Sequence, residues 1–566
     1  MYILGISAFY HDSAAVLMKD GQILYAVEEE RFTRIKHDNQ FPFQAIGFCL
    51  AKAGILITDV DYISYYEKPL LKFERILETF VRTYPFSLIP FLKGIPEWFG
   101  DKIKIESVIK KQLDYQGRIF FVPHHLSHAA ASFYPSPFQK SAIFTVDGVG
   151  EYQTTGLWYG EGITITPLKR IDFPDSLGLL YSTFTAFLGF RVNDDEYKIM
   201  GLAAYGKPVY VNQIYKIIDI KDDGSFHMNM KFFAFRESFQ MWSKDFEGLF
   251  GAPRLKNQPI TQRDMDIASS IQKVIEHIYL RALNHLYRMT KCENVCIGGG
   301  VGLNALANGK IHKETPFKYI YIFGAAGDSG GAIGSALFVQ HYILQNETRH
   351  VISNLYLGSD YNDKETEAVL KKFKVSYRKI EDQKELIEVT ARYLADNKII
   401  GWFQGKMEFG PRALGARSIL AKPNPYTMKE AVNKIKIREQ FRPFAGSILE
   451  DKVHEYVEVS EYNHVFPFMT SCFTVKEEKR SVLAAIVHKD NTCRIQTVNE
   501  ENGLYYQLIK KFYGITGLPC ILNTSFNLKD EPIVENPDQA VGDFLKTEMD
   551  YLIIGNFLVS KSKSTE

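Results

Sequence analysis

The chain has 566 residues, 46% of them hydrophobic and 14% aromatic, enough to build at least two domains with large cores. Its 67 basic and 66 acidic side chains nearly cancel and no long basic tract appears, which argues against a nucleic-acid partner. The six cysteines, Cys49, Cys292, Cys296, Cys472, Cys493 and Cys520, form no CxxC pair and no dense framework, so reduced thiols in a cytoplasmic protein are expected.

The amino terminus enters a strand at once, over 2–7, without the charged and apolar regions of a signal peptide. His11-Asp12-Ser13 then precede a strand over 14–18, an Asp20-Gly21 hairpin turn and a strand over 23–27. A charged stretch over 28–37 follows. The apolar run 86–92 is too short and too broken by proline to span a bilayer, and a packed loop or short helix is expected there ahead of the alternative, a docking surface. No membrane partner is expected.

Ile119 to Val122 reads as a strand running into Pro123-His124-His125-Leu126-Ser127-His128, where small residues beyond accept a helix. If that helix starts near His124, the imidazoles of His124 and His128 share one face and can reach one metal ion. The next strand, over 141–146, ends in Asp147-Gly148-Val149-Gly150-Glu151, which puts a carboxylate beside a glycine turn. Strands over 154–159 and 163–168 complete the same strand–turn–strand pattern seen at 2–27. Two such units about 140 residues apart predict a duplicated subdomain. Facing hairpins of this kind, with Gly148 and Gly150 in one turn, let backbone N–H groups approach nucleotide phosphates.

A buried aromatic helix is expected over 177–190, a site-lining loop over 194–206 and an irregular aromatic insertion over 209–260. A long amphipathic helix over 265–289 carries His277 and His285, both read as structural. The strand 294–297 runs into Gly298-Gly299-Gly300-Val301-Gly302-Leu303-Asn304, a turn open to nucleotide but without P-loop or dinucleotide spacing. A strand over 319–323 ends in a second glycine-rich turn that holds Asp328. With His124, His128 and Asp147, Asp328 would complete a set of two imidazoles and two carboxylates suited to Fe(II), Mn(II) or Zn(II). The pattern lapses over 346–356, and the domain boundary is set there, dividing 1–350 from 351–566.

The second half restarts with helices over 364–373 and 384–396 and a strand over 399–403. Gly405 to Ser418 combines three glycines with Arg412 and Arg417. Arg412, Arg442 and Arg494 are each flanked by glycine, proline or apolar residues, unlike a solvated charged face. Convergent arginines would bind phosphate or carboxylate through the planar guanidinium fork.

Together these stretches resemble the O-carbamoyltransferases of antibiotic biosynthesis and nodulation. The matching words are HDSAA at 11–15, EEERFTR at 28–34, HHLSHAA at 124–130, DGVGE at 147–151, KIMGLAAYG at 198–206, GGGVGLNALANG at 298–309, GPRALGARS at 410–418, FRPFA at 441–445 and LNTSFN at 522–527. The resemblance implies an α/β protein. Its N-terminal domain would have the actin-like ATPase superfold, with duplicated RNase H-like subdomains, similar to the tRNA threonylcarbamoyl transferase. Its C-terminal α/β domain would be YrdC-like.

By the same resemblance, ATP (with Mg(II)) and carbamoyl phosphate meet in the C-terminal domain and give carbamoyl-adenylate, with Arg412, Lys436, Arg442, Arg494 and Asn523 holding the anions. In the N-terminal domain, His124, His128, Asp147 and Asp328 would hold Fe(II) or another divalent metal. Gly148, Gly150, Gly299, Gly300, Gly302 and Asn304 would line the nucleotide. His11, with Asp12 beside it, is the candidate general base for the hydroxyl of a small-molecule acceptor, and Lys36 a candidate contact for phosphate or acceptor. The resemblance leaves room for a homodimer. Lys406 stands where the family motif leads one to expect glutamate, and 209–260 matches no family word, so the acceptor does not carry over. The competing readings are a relative acting on RNA, an actin-like ATP-binding regulator and a sugar kinase of the same superfold.

Overall fold

The computed structural model describes residues 1–97, 102–462 and 465–561. The chain divides into two compact units. The first comprises residues 1–24 and 39–351, and the second comprises residues 25–38 and 352–566. The 25–38 segment is thus lent to the second unit from within the N-terminal sequence.

The first unit repeats one topology twice. Its first sheet contains β1 (Tyr2–Ser7), β2 (Ala14–Lys19), β3 (Gln22–Glu28), β4 (Tyr62–Tyr65) and β5 (Arg118–Phe121), in the order β3-β2-β1-β4-β5. The second contains β6 (Lys140–Val146), β7 (Gln153–Glu161), β8 (Thr164–Asp172), β11 (Asn294–Gly298) and β12 (Tyr319–Ile322), in the order β8-β7-β6-β11-β12. In both sheets the first strand pairs antiparallel with the second and parallel with the fourth, and the fourth pairs parallel with the fifth. This is the duplication anticipated from the two strand–turn–strand stretches. It makes the unit an α/β pair of RNase H-like repeats, the actin-like arrangement.

The central strands are buried on both faces, from Ile3 to Ser7 and from Ser141 to Val146. Near-continuous apolar runs are what such strands require. The helices His124–Phe133 and Asp328–Phe338 lie against each other at glycines: a Cβ on Gly334 would stand 1.8 Å from the Ser127 carbonyl oxygen. The long amphipathic helix extends over Gln262–Thr290 and the aromatic helix over Leu177–Phe187.

Three expectations are corrected in this unit. The stretch 194–206 contains the helix Glu196–Ala203 and is not a loop. The insertion 209–260 holds a hairpin of β9 (Ile218–Ile220) and β10 (Phe226–Met228) and the helix Lys244–Phe250. Its Phe246 and Phe250 pack on Phe184, giving it an aromatic core. The run 86–92 enters the short helix Leu88–Glu97, but Phe86, Ile89 and Leu92 face outward and are not packed.

The second unit is built on one nine-stranded sheet. Its strands are β13 (Ser376–Lys379), β14 (Ile400–Phe403), β15 (Arg417–Ala421), β16 (Ala445–Leu449), β17 (Ser471–Thr474), β18 (Thr492–Val498), β19 (Cys520–Ser525), β20 (Tyr551–Ile554) and β21 (Phe557–Ser560). Their order is β13-β21-β20-β14-β15-β19-β16-β18-β17, with parallel and antiparallel pairs mixed. Side chains alternate between two cores. Ile400, Trp402, Leu420 and Ile553 join the helices Gln383–Ala395 and Leu504–Thr516 on one face. Phe403, Ile419, Leu552 and Ile554 join Asp363–Phe373, Thr427–Ile435 and Pro537–Leu545 on the other. Among the described residues, no helix is long and apolar enough to cross a membrane.

Candidate active sites

The first centre gathers side chains from three elements. The helix carrying HHLSHAA begins at His124, which meets the condition under which His124 and His128 share a face. Glu151 fixes that start: its carboxylate accepts the His124 N–H, at 3.0 and 3.1 Å, and the Lys68 N–H at 2.7 Å. An acid at a helix N-terminus satisfies donors that no helical carbonyl reaches. Glu151 therefore anchors the first turn of the helix whose four-residue spacing puts His124 and His128 on one face, a role not assigned to it from the sequence. Its signal was its place directly after the glycine turn.

Asp147 comes from the end of β6. Its Oδ2 lies 2.9 Å from His124 Nε2 and 3.2 Å from His128 Nε2, while its Oδ1 accepts the Gly300 N–H at 3.1 Å. The two Nε2 atoms are 3.0 Å apart. Asp328, in the first turn of its helix, brings Oδ1 to 3.5 Å from His128 Nε2 and 3.7 Å from His124 Nε2. Both oxygens of this buried carboxylate lack a hydrogen-bond donor. One ligand atom from each of the four residues lies within 4.8 Å of all the others.

The arrangement fits a divalent cation. Two imidazole nitrogens this close cannot both point N–H groups at each other, and two buried carboxylates need a compensating charge. Two nitrogen and two oxygen donors form a set for a borderline first-row metal. Burial alone would raise the Asp147 carboxyl, but His124 and His128 hold it well below the usual range. Burial would lower His128, yet Asp147 and Asp328 push it up to about 9. His125, on the same helix, is instead held well below the ordinary imidazole range by burial and by its histidine neighbours. It bonds Thr145 Oγ1 at 2.9 Å and takes no part in the cluster.

His11 borders the centre. Its Nε2 stands 3.7 Å from Asp328 Oδ2, and its Nδ1 bonds Asp12 Oδ2 at 2.9 Å. Burial pulls this imidazole down, but Asp328 and Asp12 outweigh it and bring it up to about 9. Lys36 lies in the 25–38 segment of the second unit.

The glycines anticipated as nucleotide contacts shape the same neighbourhood. A Cβ on Gly150 would come 3.0 Å from the His124 side chain, and one on Gly300 would come 2.9 Å from Asp147 Oδ1. Gly299 has φ +89°, and a Cβ there would meet the Val146 carbonyl oxygen at 2.2 Å. Gly302 donates its N–H to Gly299 O, and Gly148 faces open space. Asn304 caps the helix Ala305–Asn308 and exchanges amide hydrogen bonds with Gln272 at 3.0 and 3.1 Å. Its polar atoms thus hold the glycine turn in place.

The second centre is organised by sheet register. Ala445 pairs with Arg494 on one side and with Asn523 on the other, so the three side chains share a face. The loop 409–416 lies over this row. Asn523 donates to Ala413 O at 3.3 Å and to Ser447 Oγ at 3.1 Å, and Gln496 donates to Leu414 O at 2.9 Å. Glu408 tightens the loop, its Oε1 accepting N–H groups of Leu414, Ala416 and Arg417 at 2.7, 2.7 and 3.1 Å. The segment 25–38 holds the loop from its other end. Glu28 accepts the Gly410 N–H at 2.6 Å, and Arg31 donates to Gly410 O at 2.8 Å. Neither Glu408 nor Glu28 was singled out in the sequence, because each acts on backbone far away in the chain or hidden within one loop.

The candidate cations sit in a common electrostatic neighbourhood. Burial lowers Arg494, and Arg442 lowers it further. Burial pushes the Cys472 thiol up to about 12 against the pull of Arg494 and Arg412. Lys436 falls well below the usual lysine range through burial, with Arg438 and Arg442 adding repulsion. Its Nζ donates to Ser525 O at 2.5 Å and Asn527 Oδ1 at 2.7 Å, which ties it to the LNTSFN strand end. Clustered, partly desolvated cations of this kind attract an anion. Arg417 is different. It is fully buried, donates to the carbonyls of Gln404, Gly405, Ala416 and Ser359, and is structural.

Family models match both halves of the chain: carbamoyltransferase N-terminus over residues 2–337, and carbamoyltransferase C-terminus over residues 391–561. The chain belongs to the carbamoyltransferase family. A protein of Synechocystis sp. is 47% identical over 99% of this chain and 97% of its own length. Nodulation protein NolNO of Sinorhizobium fredii is 37% identical over 98% of this chain and 80% of its own. Nodulation protein U of Rhizobium fredii is 26% identical, covering 91% and 88%. As a carbamoyltransferase the protein needs a site that handles an activated carbamoyl group and one that admits the group receiving it.

Proposed function

We propose that this carbamoyltransferase is ATP-dependent and works in two stages, one at each centre. At the second unit, water cleaves carbamoyl phosphate to carbamate and phosphate. A carbamate oxygen then attacks the α-phosphorus of ATP, forming carbamoyl-adenylate and expelling pyrophosphate. Arg412, Arg442 and Arg494 stabilise the phosphate charge that develops, with Lys436 anchored beside them. Asn523 holds the loop that carries Arg412.

At the first unit, a hydroxyl oxygen of a small-molecule acceptor attacks the carbamoyl carbon. The C–O bond to AMP breaks, AMP leaves, and the hydroxyl proton passes to solvent through a base. A divalent metal, taken here to be Fe(II), supplies Lewis-acid polarisation of the carbamoyl oxygen when bound. His124, His128, Asp147 and Asp328 would hold it. His11 takes the hydroxyl proton at Nε2, with Asp12 orienting the ring through Nδ1. With Asp328 engaged by a cation, the pull that keeps His11 protonated is lost, and the imidazole becomes available as a base. Substrates drawn from the nucleotide pool place the reaction in the cytoplasm.

The observation that carries this reading is the convergence of four ligand residues from both repeats of the first unit. The test omits the acceptor. Protein with carbamoyl phosphate and ATP should release pyrophosphate and form carbamoyl-adenylate, and Arg442→Ala should abolish both. ADP in place of pyrophosphate would sink the adenylate scheme.

A further inference from the structure

The stretch Phe173-Pro174-Asp175-Ser176-Leu177-Gly178 carries a helix-start signal, a serine directly before an apolar run. Ser176 is the N-cap of the helix Leu177–Phe187, and its Oγ accepts the Leu179 N–H at 3.0 Å. The same hydroxyl has a second task. Its proton goes to the Gly148 carbonyl oxygen at 2.6 Å, with the Asp147 carbonyl oxygen at 3.3 Å. The fully buried cap of one helix thus grips the turn that carries a candidate metal ligand. The helix comes this close because its first turn has no side chain at Gly178. A Cβ there would stand 2.6 Å from Gly148 Cα and 2.7 Å from Asp147 O. The N–H side of the turn belongs to its own hairpin, Asp147 N–H donating to Thr154 O at 3.0 Å. Ser176 holds the carbonyl side.

The insertion 209–260 holds this cap in turn. In β10, Met228 donates its N–H to Asp175 Oδ1 at 2.6 Å, and His227 Nδ1 stands 3.1 Å from Asp175 Oδ2. The Ser176 N–H donates back to Met228 Sδ at 3.3 Å, and this sulfur is fully buried. Phe246 and Phe250 of the insertion pack on Phe184 of the capped helix, with ring centroids 5.1 and 5.2 Å apart. One continuous set of contacts therefore runs from β10 through Asp175 and Ser176 to the Asp147–Gly148 turn.

We propose that the insertion positions the metal centre: through Asp175 and Ser176 it fixes the Asp147–Gly148 turn, and with it the direction of the Asp147 carboxylate. Asp175 and Ser176 are positioning residues and touch no metal. Partners that orient a ligand from behind commonly change metal affinity by about ten- to a hundredfold. The proposal rests on the metal assignment made above and not on the adenylate chemistry.

The test measures Mn(II) binding to the full chain by electron paramagnetic resonance of the free ion. Two variants cut the relay at different links. Ser176→Gly keeps a residue that caps a helix well but loses the hydroxyl that grips the turn. Asp175→Ala frees the cap from β10. Each should weaken Mn(II) binding at least about tenfold. Because both act along one path, the double variant should bind no more weakly than the poorer single one. The Co(II) form of each should show altered d–d absorption, which a loss of stability elsewhere would not produce. Should Asp175→Ala not fold, Met228→Leu, which removes the sulfur acceptor, takes its place in the same cycle. A variant that binds Mn(II) as tightly as wild type, with an unchanged Co(II) spectrum, overturns the relay. So do losses that multiply in the double variant. Wild-type protein that takes up no Mn(II) fails earlier, at the metal assignment, and the proposal falls with it.

Discussion

The Nε2 atoms of His124 and His128 face each other at 3.0 Å with Asp147 Oδ2 within 3.2 Å of both. Neither imidazole is solvated, and Asp328 closes the group with a carboxylate that no donor satisfies. Two largely buried carboxylates and two facing imidazole nitrogens make a donor set that a divalent cation would hold together. Adding Mn(II) or Fe(II) to chelator-treated protein should raise the melting temperature. The gain corresponds to about 2.7 kcal/mol at a hundredfold excess over the dissociation constant. Asp328→Asn should remove that response and cut carbamoyl transfer at least about a hundredfold while leaving pyrophosphate release intact. An equal metal response in the variant would disprove the ligand assignment.

The approach of the two helices through Gly334 is equally specific. A methyl group there would lie 1.8 Å from Ser127 O, inside any allowed contact, so the helices must part. Gly334→Ala should destabilise the first unit by about 1–3 kcal/mol despite the better helix propensity of alanine. Urea unfolding measures this directly. Because Ser127 and Asp328 ride on these helices, metal affinity should fall as well.

Glu408 gathers three backbone N–H groups with one oxygen. Removing the carboxylate leaves three buried donors without an acceptor, at about 1–3 kcal/mol each. Glu408→Ala should lower pyrophosphate release at least about tenfold by loosening the loop that bears Arg412. The metal-dependent melting shift of the first unit should persist, which separates loop damage from global unfolding.

Asp543 gives a pH signature. Burial raises its carboxyl, Glu531 raises it further, and the nearby cations Arg34, Lys546 and Lys436 offset only part, leaving it at about 6. Its Oδ2 is buried without a donor. An unfolded aspartate titrates near 3.9. Between about pH 4 and 6 the folded state therefore holds more protons than the unfolded one, and stability falls as pH rises through that window. Asp543→Asn removes the penalty. The variant should gain on wild type in urea midpoint from pH 4 to pH 7, whereas a constant difference would refute the assignment.

Much of this was legible in the residues. Alternating and apolar runs located β1, β2, β6 and β14 because pleated strands bury every second side chain, or all of them when covered on both sides. The four-residue spacing of His124 and His128 fixed their shared face once a helix was granted, since 3.6 residues make a turn. In sequence the glycine words read as openings for a nucleotide, whereas in the structure Gly299, and Gly334 outside those words, are places where backbone meets backbone. Tertiary structure alone decided the rest. Glu28 meets Gly410 across 382 residues, and the charged 28–34 word serves the second unit rather than the one that surrounds it in sequence. Glu151 and Glu408 act on N–H groups, which every residue but proline carries and which no sequence pattern distinguishes. The apolar run at 86–92 reads alike whether it is packed or exposed, because hydrophobicity records what a side chain prefers and only the folded neighbours record what it meets.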